Sequence, residues 1–360
     1  ILAEQRITPA NENARYNAPI RATVRVGGED RVFIIDTGAS PNFVDERLRS
    51  LCIKAVGERS VNSGHGQLNL SFFETAEAYV GSQLIPLSPV GVLDLNELSS
   101  VVGGDISGIL GVAFLATAAL GYQEVDKSFY TGSSYYRRFD ATYPIDMESG
   151  YPRTSDVEIG ISVDGFLVDT GMNDPLSLSK ERFDAAKAAG LLYGIGSANF
   201  YSIGGTVKSR TGFLHSMTAW GHQFTNVPIH ESSDEKVGLP LLERFDFRIT
   251  CRNRTMEMSV NSGADQPFLY NRSGISLRSI DGTLVVESVE DDSPGHKAGL
   301  AESDTILAID GMDVDSTWIG LSNAREALAN PDATEVSLTI TRNDSDRVAV
   351  LQLVSQDVGQ

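Results

Sequence analysis

The tripeptide Asp-Thr-Gly occurs twice in this chain, at Asp36-Thr37-Gly38 and at Asp169-Thr170-Gly171, and each copy closes an apolar run that reads as a strand. The runs are Val32-Phe33-Ile34-Ile35 and Phe166-Leu167-Val168. At about 5–7% usage for each residue type, chance supplies one such tripeptide in roughly a tenth of chains this long, so two at strand ends are a repeat. A repeat at this range implies two halves of one plan, each presenting a carboxylate at the end of a buried strand. One carboxylate alone is half of a water-activating site.

The residues around each copy extend the match. In 21–48, alternation through Thr23-Val24-Arg25-Val26 predicts a strand, Gly27-Gly28-Glu29-Asp30 a turn, and a second strand ends on Asp36. In 156–183 the same order predicts an alternating strand, a tight hairpin turn at Asp164-Gly165, and a strand ending on Asp169. Short helices are predicted over 45–51 and 179–189. Downstream of the first acid lies Gly108-Ile109-Leu110-Gly111-Val112-Ala113-Phe114-Leu115, and downstream of the second Val237-Gly238-Leu239-Pro240-Leu241-Leu242. Each precedes a further strand candidate, over 122–125 and 245–250. Between the halves, 127–153 is a connector rich in Tyr and Phe.

Composition narrows the function classes. A chain of 360 residues has room for two or three domains, and its 34 glycines with few helix-forming stretches favour β structure. A formal net charge of −19 excludes a phosphate-binding basic face and docking on anionic lipid. No run approaches the ~18 apolar residues of a membrane span. The chain opens at Ile1 without an apolar signal region, which reads as a mature or trimmed form. Cys52 and Cys251 read as two free thiols rather than a pair. The histidines at 65, 215, 222, 230 and 296 lack metal-ligand spacing, and no nucleophile elbow, P-loop or dinucleotide fingerprint is present. No metal or cofactor is expected.

From about residue 272 the pattern changes. Short alternating strands are predicted over 284–289, 304–309 and 336–340, and one helix over 316–329 with Leu321, Ala324 and Leu328 on its apolar face. Residues 261–271 read as a linker.

Asp36-Thr37-Gly38-Ala39-Ser40 with Ile109-Leu110-Gly111 resembles the aspartic protease signature. Asp169-Thr170-Gly171 with Val237-Gly238 resembles the other lobe of a single-chain, pepsin-type enzyme. The tail is similar to a PDZ domain of the kind found in bacterial envelope proteases: Gly274-Ile275-Ser276-Leu277 matches its carboxylate-binding loop, and 285–314 its following run, with Ser303 where a Gly is usual. These resemblances imply a mostly β chain, a bilobal acid-protease β-barrel fold followed by a small α+β PDZ domain. The implied division is lobe 1 over 16–126, a connector over 127–153, lobe 2 over 154–260, the linker, and the PDZ domain over 272–356.

They also imply an aspartic endopeptidase. Asp36 and Asp169 would share one proton and activate a water, since two carboxylates so close cannot both ionise comfortably. Thr37, Gly38, Thr170 and Gly171 would support the loops. Candidate flaps are Ser63-Gly64-His65-Gly66 and Gly204-Gly205-Thr206. Pepsin-type sites often carry a hydroxyl residue after each Gly, where it bonds the outer carboxylate oxygen; here Ala39 and Met172 stand instead. Losing those donors predicts an optimum nearer pH 5–7 than pH 2. The implied partners are a polypeptide substrate between the lobes and a peptide C-terminus received by N–H groups of Ile275 to Leu277. One chain suffices, so a monomer is expected, in a bacterial periplasm or outside the cell. The alternatives are an inactive scaffold working through its PDZ domain and a homodimer using one lobe per chain.

Overall fold

Four sheets carry the chain in the computed structural model, which describes residues 5–7, 16–62, 67–132 and 138–353. The first acid follows the strand Glu29–Ile35, whose apolar end is buried on both faces. This strand pairs antiparallel with Arg21–Val26 across the two-residue turn Gly27-Gly28, both at positive φ, as a tight hairpin requires. On its other side it pairs parallel with Gly108–Leu110 inside a nine-stranded sheet.

The second acid ends Phe166–Asp169, which pairs parallel with Lys236–Gly238 in an eight-stranded sheet. Its antiparallel neighbour is Arg153–Thr154, and the predicted hairpin at Asp164-Gly165 does not form. Val157–Glu158 instead pairs with Thr218 and Ala219 at the far edge of the sheet. The alternation Val157, Ile159, Ile161, Val163 that suggested a strand arises because those side chains pack on the core while most of the segment pairs with nothing.

Local signals fare better. The expected helix over 45–51 is a single 3-10 stretch, Glu46–Leu51, capped by the Asp45 carboxylate on Arg47 N–H. The helix Lys180–Ala188 begins at Ser179, whose hydroxyl accepts from Arg182 N–H. The strands paired parallel behind the acids, Gly108–Leu110 and Lys236–Gly238, brace the two loops. After each comes a short helix and then a strand: Val112–Leu115 and Ala119–Gln123 in the first half, Leu239–Leu242 and Phe245–Thr250 in the second. The strand expected over 122–125 therefore starts earlier and ends in a 3-10 turn at Glu124–Asp126.

Those two strands pair with each other, Leu120 opposite Ile249 and Tyr122 opposite Phe247, and so join the halves. Around them forms a six-stranded antiparallel sheet in the order Gln5–Arg6, Ser128–Gly132, Ala119–Gln123, Phe245–Thr250, Thr255–Val260, Ala141–Pro144. The aromatic connector thus has a structural role: it supplies two of these strands, and Phe129 packs on Tyr122 at 5.0 Å between ring centroids. One apolar core runs through both halves.

The C-terminal sheet has its own core, built on Leu277, Val286, Ile306, Leu321 and Leu338. Its strands run in the order Ile275–Ile280, Thr283–Val289, Thr305–Ile309, Glu335–Arg342, Ser345–Gln352, with the helix Trp318–Ala329 alongside. Ser303 adopts the left-handed φ of +69° that the usual Gly would take. This unit docks on the helix Asn96–Val102 of the first half. The Arg325 guanidinium donates to Val101 O and Leu277 O, both at 2.9 Å, and Ser322 Oγ donates to Tyr16 O at 2.7 Å. Cys52 and Cys251 are both free thiols.

Phe245, the first residue of its strand in the joining sheet, is buried with its ring edge-on to Trp220 at 5.3 Å. Phe245→Ala is expected to cost about 3–5 kcal/mol. The check is the shift in denaturation midpoint followed through Trp220 fluorescence in a Trp318→Phe background.

Candidate active site

Two loops of identical design meet at the centre of the molecule. Thr37 and Thr170 are fully buried beneath the acids. Thr37 N–H donates to Thr170 Oγ1 at 3.1 Å, and Thr170 N–H donates to Thr37 Oγ1 at 2.9 Å. Each hydroxyl passes its own hydrogen across: Thr170 Oγ1 donates to Ile35 O at 3.0 Å and Thr37 Oγ1 to Val168 O. Every polar atom in this four-bond lock is satisfied by the opposite loop, and only a side chain that both donates and accepts can serve there.

The glycines set how closely the loops approach. A Cβ on Gly38 would lie 2.5 Å from the Asp169 carboxyl carbon, and one on Gly171 would lie 2.5 Å from that of Asp36. Each glycine N–H donates to its own acid, at 2.7 Å from Gly38 to Asp36 and 3.0 Å from Gly171 to Asp169. Each carboxyl thus lies against the glycine of the opposite loop, which brings the two acids together.

The brace strands hold each loop from behind. Asp36 N–H donates to Leu110 O at 3.0 Å, and Asp169 lies in register with Gly238. A Cβ on Gly111 would collide with Ala39 O, and one on Gly238 with Asp174 O. Val112 N–H donates to Ala39 O and Leu239 N–H to Met172 O, both at 2.9 Å. Ala39 and Met172 thus give the brace a carbonyl and offer the carboxylates no hydroxyl.

The symmetry fails at one position. Lys236 stands opposite Leu167 as Ile109 stands opposite Ile34, so a lysine occupies the place of a buried isoleucine. Its Nζ donates to Asp169 Oδ2 at 3.0 Å. The other nearby anion, Asp234, is taken by Arg153 through two bonds of 2.8 and 3.0 Å.

Burial, followed by the charge of Asp169, pushes the Asp36 carboxyl up to about 8, against the pull of Lys236 and the Gly38 N–H. The charge of Asp169 holds the Lys236 ammonium above the usual lysine range despite its burial. Burial and then the charge of Asp36 raise the Tyr151 phenol.

A cavity of about 1570 Å³ runs from Asp36, Gly38, Asp169 and Gly171 to Gly274, Ile275, Ser276 and Leu277 of the C-terminal unit. The flap candidates Gly64, His65 and Gly66 lie outside the described residues. Gly204 and Gly205 sit at the tip of a long hairpin, Leu192–Ser202 paired with Gly205–Ala219, whose neighbours Ile203 and Thr206 line the cavity. Tyr201 and Ile203 pack on the apolar cluster that contains Ile34 and Leu98 of the first half. The hairpin is also held by the C-terminal unit, through Arg278 to Thr206 Oγ1 at 3.1 Å and Asn199 to Ser288 Oγ at 3.1 Å.

The expected carboxylate loop is already engaged. Ile275 N–H donates to Ser273 Oγ at 3.3 Å, and Arg325 holds Leu277 O against the helix Asn96–Val102. Lys236, Tyr201 and Arg325 do not stand out in the sequence patterns. Lys236 had a readable signal, a cation in the first place of a hydrophobic-hydrophobic-Gly element. Tyr201 and Arg325 had none, because they act across distant segments.

Residues 285–342 match the family model for the PDZ domain, so the chain carries a PDZ domain near its C-terminus. No curated protein matches the chain.

Thr170→Val would strand Thr37 N–H and Ile35 C=O in the interior. At about 1–3 kcal/mol for each buried unpaired group, a loss of about 2–6 kcal/mol in unfolding free energy is expected by chemical denaturation. Gly171→Ala, whose Cβ meets the Asp36 carboxyl, is expected to separate the acids and lower the pH at which Asp36 titrates, read by carboxyl NMR.

Proposed function

We propose that this protein is an aspartic endopeptidase in which Asp36 and Asp169 together activate a water for attack on a peptide bond. The observation that carries this reading is the pair of acids brought together by glycines of the opposite loops, locked by Thr37 and Thr170, facing one large cavity between two similarly braced halves. A dyad holding one proton contains both catalysts that peptide hydrolysis needs: an ionised carboxylate to take the water proton and a protonated one to give a proton to the carbonyl oxygen. The reading corresponds to a bilobal acid-protease fold with lobes over 16–126 and 154–260. A polypeptide would lie extended in the cleft, beneath the hairpin ending at Gly204 and Gly205. Both acids belong to one chain, so a monomer is sufficient. A periplasmic or extracellular bacterial setting is part of the same proposal.

The PDZ domain supports peptide binding, and its edge strand Ile275–Ile280 lines the same cavity as the acids. Because Arg325 ties that edge to the helix Asn96–Val102, regulation of the cleft fits better than free recruitment. The rival reading is an inactive scaffold that acts through the PDZ domain alone. A statine-type transition-state mimic separates the two, since only a working dyad binds it tightly.

Asp36→Asn is expected to abolish hydrolysis of a peptide library; wild-type rates in that variant would refute the dyad. Folding raises the Asp36 carboxyl from 3.8 to about 8, so its proton is retained through neutral pH. Hydrolysis should therefore persist at pH 7 and decline as pH rises through about 8. Stability from this group runs the same way, full below its unfolded value and lost through about 8. In the full chain, Arg325→Ala is expected to release the PDZ edge and raise turnover, whereas a weaker apparent affinity would indicate recruitment.

A further inference from the structure

We propose that Lys236 is the positioning residue that makes the two acids unequal, placing the shared proton on Asp36 and leaving the negative charge on Asp169. This rests on the dyad reading above and adds to it an assignment of roles. Its basis is geometric. The hydroxyl donor expected after Gly171 is replaced by Met172, and Asp169 Oδ2, the oxygen not taken by the Gly171 N–H, receives the Lys236 Nζ at 3.0 Å. Among the described residues Asp36 has no such partner: Ala39 follows its glycine, and Ile109 occupies the position that corresponds to Lys236.

The surrounding charges leave Lys236 free for this task. Of the groups that face it, Asp234 is neutralised by Arg153, Tyr151 is neutral, and Asp36 and Asp169 remain. An ammonium on one member of a carboxyl pair stabilises the anion there and leaves the proton on the other. The raised Asp36 value agrees with that placement.

The consequence is a fixed direction for the reaction. The water oxygen forms its bond to the peptide carbonyl carbon while its proton passes to Asp169. The carbonyl π pair takes the proton of Asp36, giving a neutral gem-diol. Charge is conserved: the dyad enters and leaves this step with one proton, moved from Asp36 to Asp169.

Lys236→Met and Lys236→Arg test this in the full chain. Carboxyl signals of 13C-labelled aspartate are followed through a pH titration, beside the pH profile of peptide hydrolysis. Removing the cation takes away what favours the anion. The dyad titration and the acid limb of the profile should therefore move up by about one to three pH units in Lys236→Met, and stay near wild type in Lys236→Arg. A dyad titration that does not move in a folded Lys236→Met protein overturns the inference, as does a drop in rate with an unshifted acid limb. If Lys236→Met fails to fold, the wild-type spectra decide: a titration in which Asp169 holds its proton to higher pH than Asp36 overturns it. A shifted titration in a protein that hydrolyses no peptide upholds the proton placement and refutes the endopeptidase reading.

Discussion

The reciprocal bonds between Thr37 and Thr170 are the constraint on which the rest of the structure depends. They cross from one half to the other in a fully buried place, where an unpaired amide or hydroxyl would cost free energy that no packing recovers. Both halves must therefore deliver their loops to within hydrogen-bonding distance. The brace strands, the glycines that admit them and the six-stranded joining sheet all serve that approach. The nearness of the acids follows from the same geometry, because Gly38 and Gly171 leave each carboxyl lying where a neighbouring Cβ would otherwise be.

Similar backbones do not make the acids chemically equal. Each loop is braced by a Gly and a carbonyl bond in the same way, yet among the described residues only the second sheet places a cation beside its acid. An internal repeat can thus keep its geometry while one side chain on a supporting strand separates the electrostatics of its two halves. The difference comes from Lys236, which substitutes for an apolar residue in the brace, rather than from the Asp-Thr-Gly motif itself.

The PDZ domain is joined to this arrangement by polar and close-packed contacts instead of a flexible tether alone. Arg325 spans its edge strand and a helix of the first half, Arg278 reaches the hairpin tip and Glu97, and Gly103 packs so close to Trp318 that a Cβ would come within 2.9 Å of its backbone. The domain therefore touches both sides of the cleft. Any peptide that pairs with its edge strand must displace Arg325 from Leu277 O, so binding there is coupled to how firmly the domain sits.

Much of this was legible in the order of residues. The strands ending on Asp36 and Asp169, the brace elements, the Ser179 helix start and the PDZ pattern are local signals of apolar runs, turn residues and caps. Their physics acts within a few positions of the chain. Where the prediction of a hairpin at Asp164-Gly165 failed, the alternation of Val157 to Val163 was real but served core packing, which periodicity does not distinguish from strand pairing. The sequence by itself determined that two strand-end acids exist and that each carries its own support. Only the tertiary structure decided that the threonines lock across the halves, that Lys236 reaches Asp169 and that the PDZ edge is already held. Those outcomes depend on register between segments far apart in sequence, where a shift of one residue would turn Lys236 away from the acid.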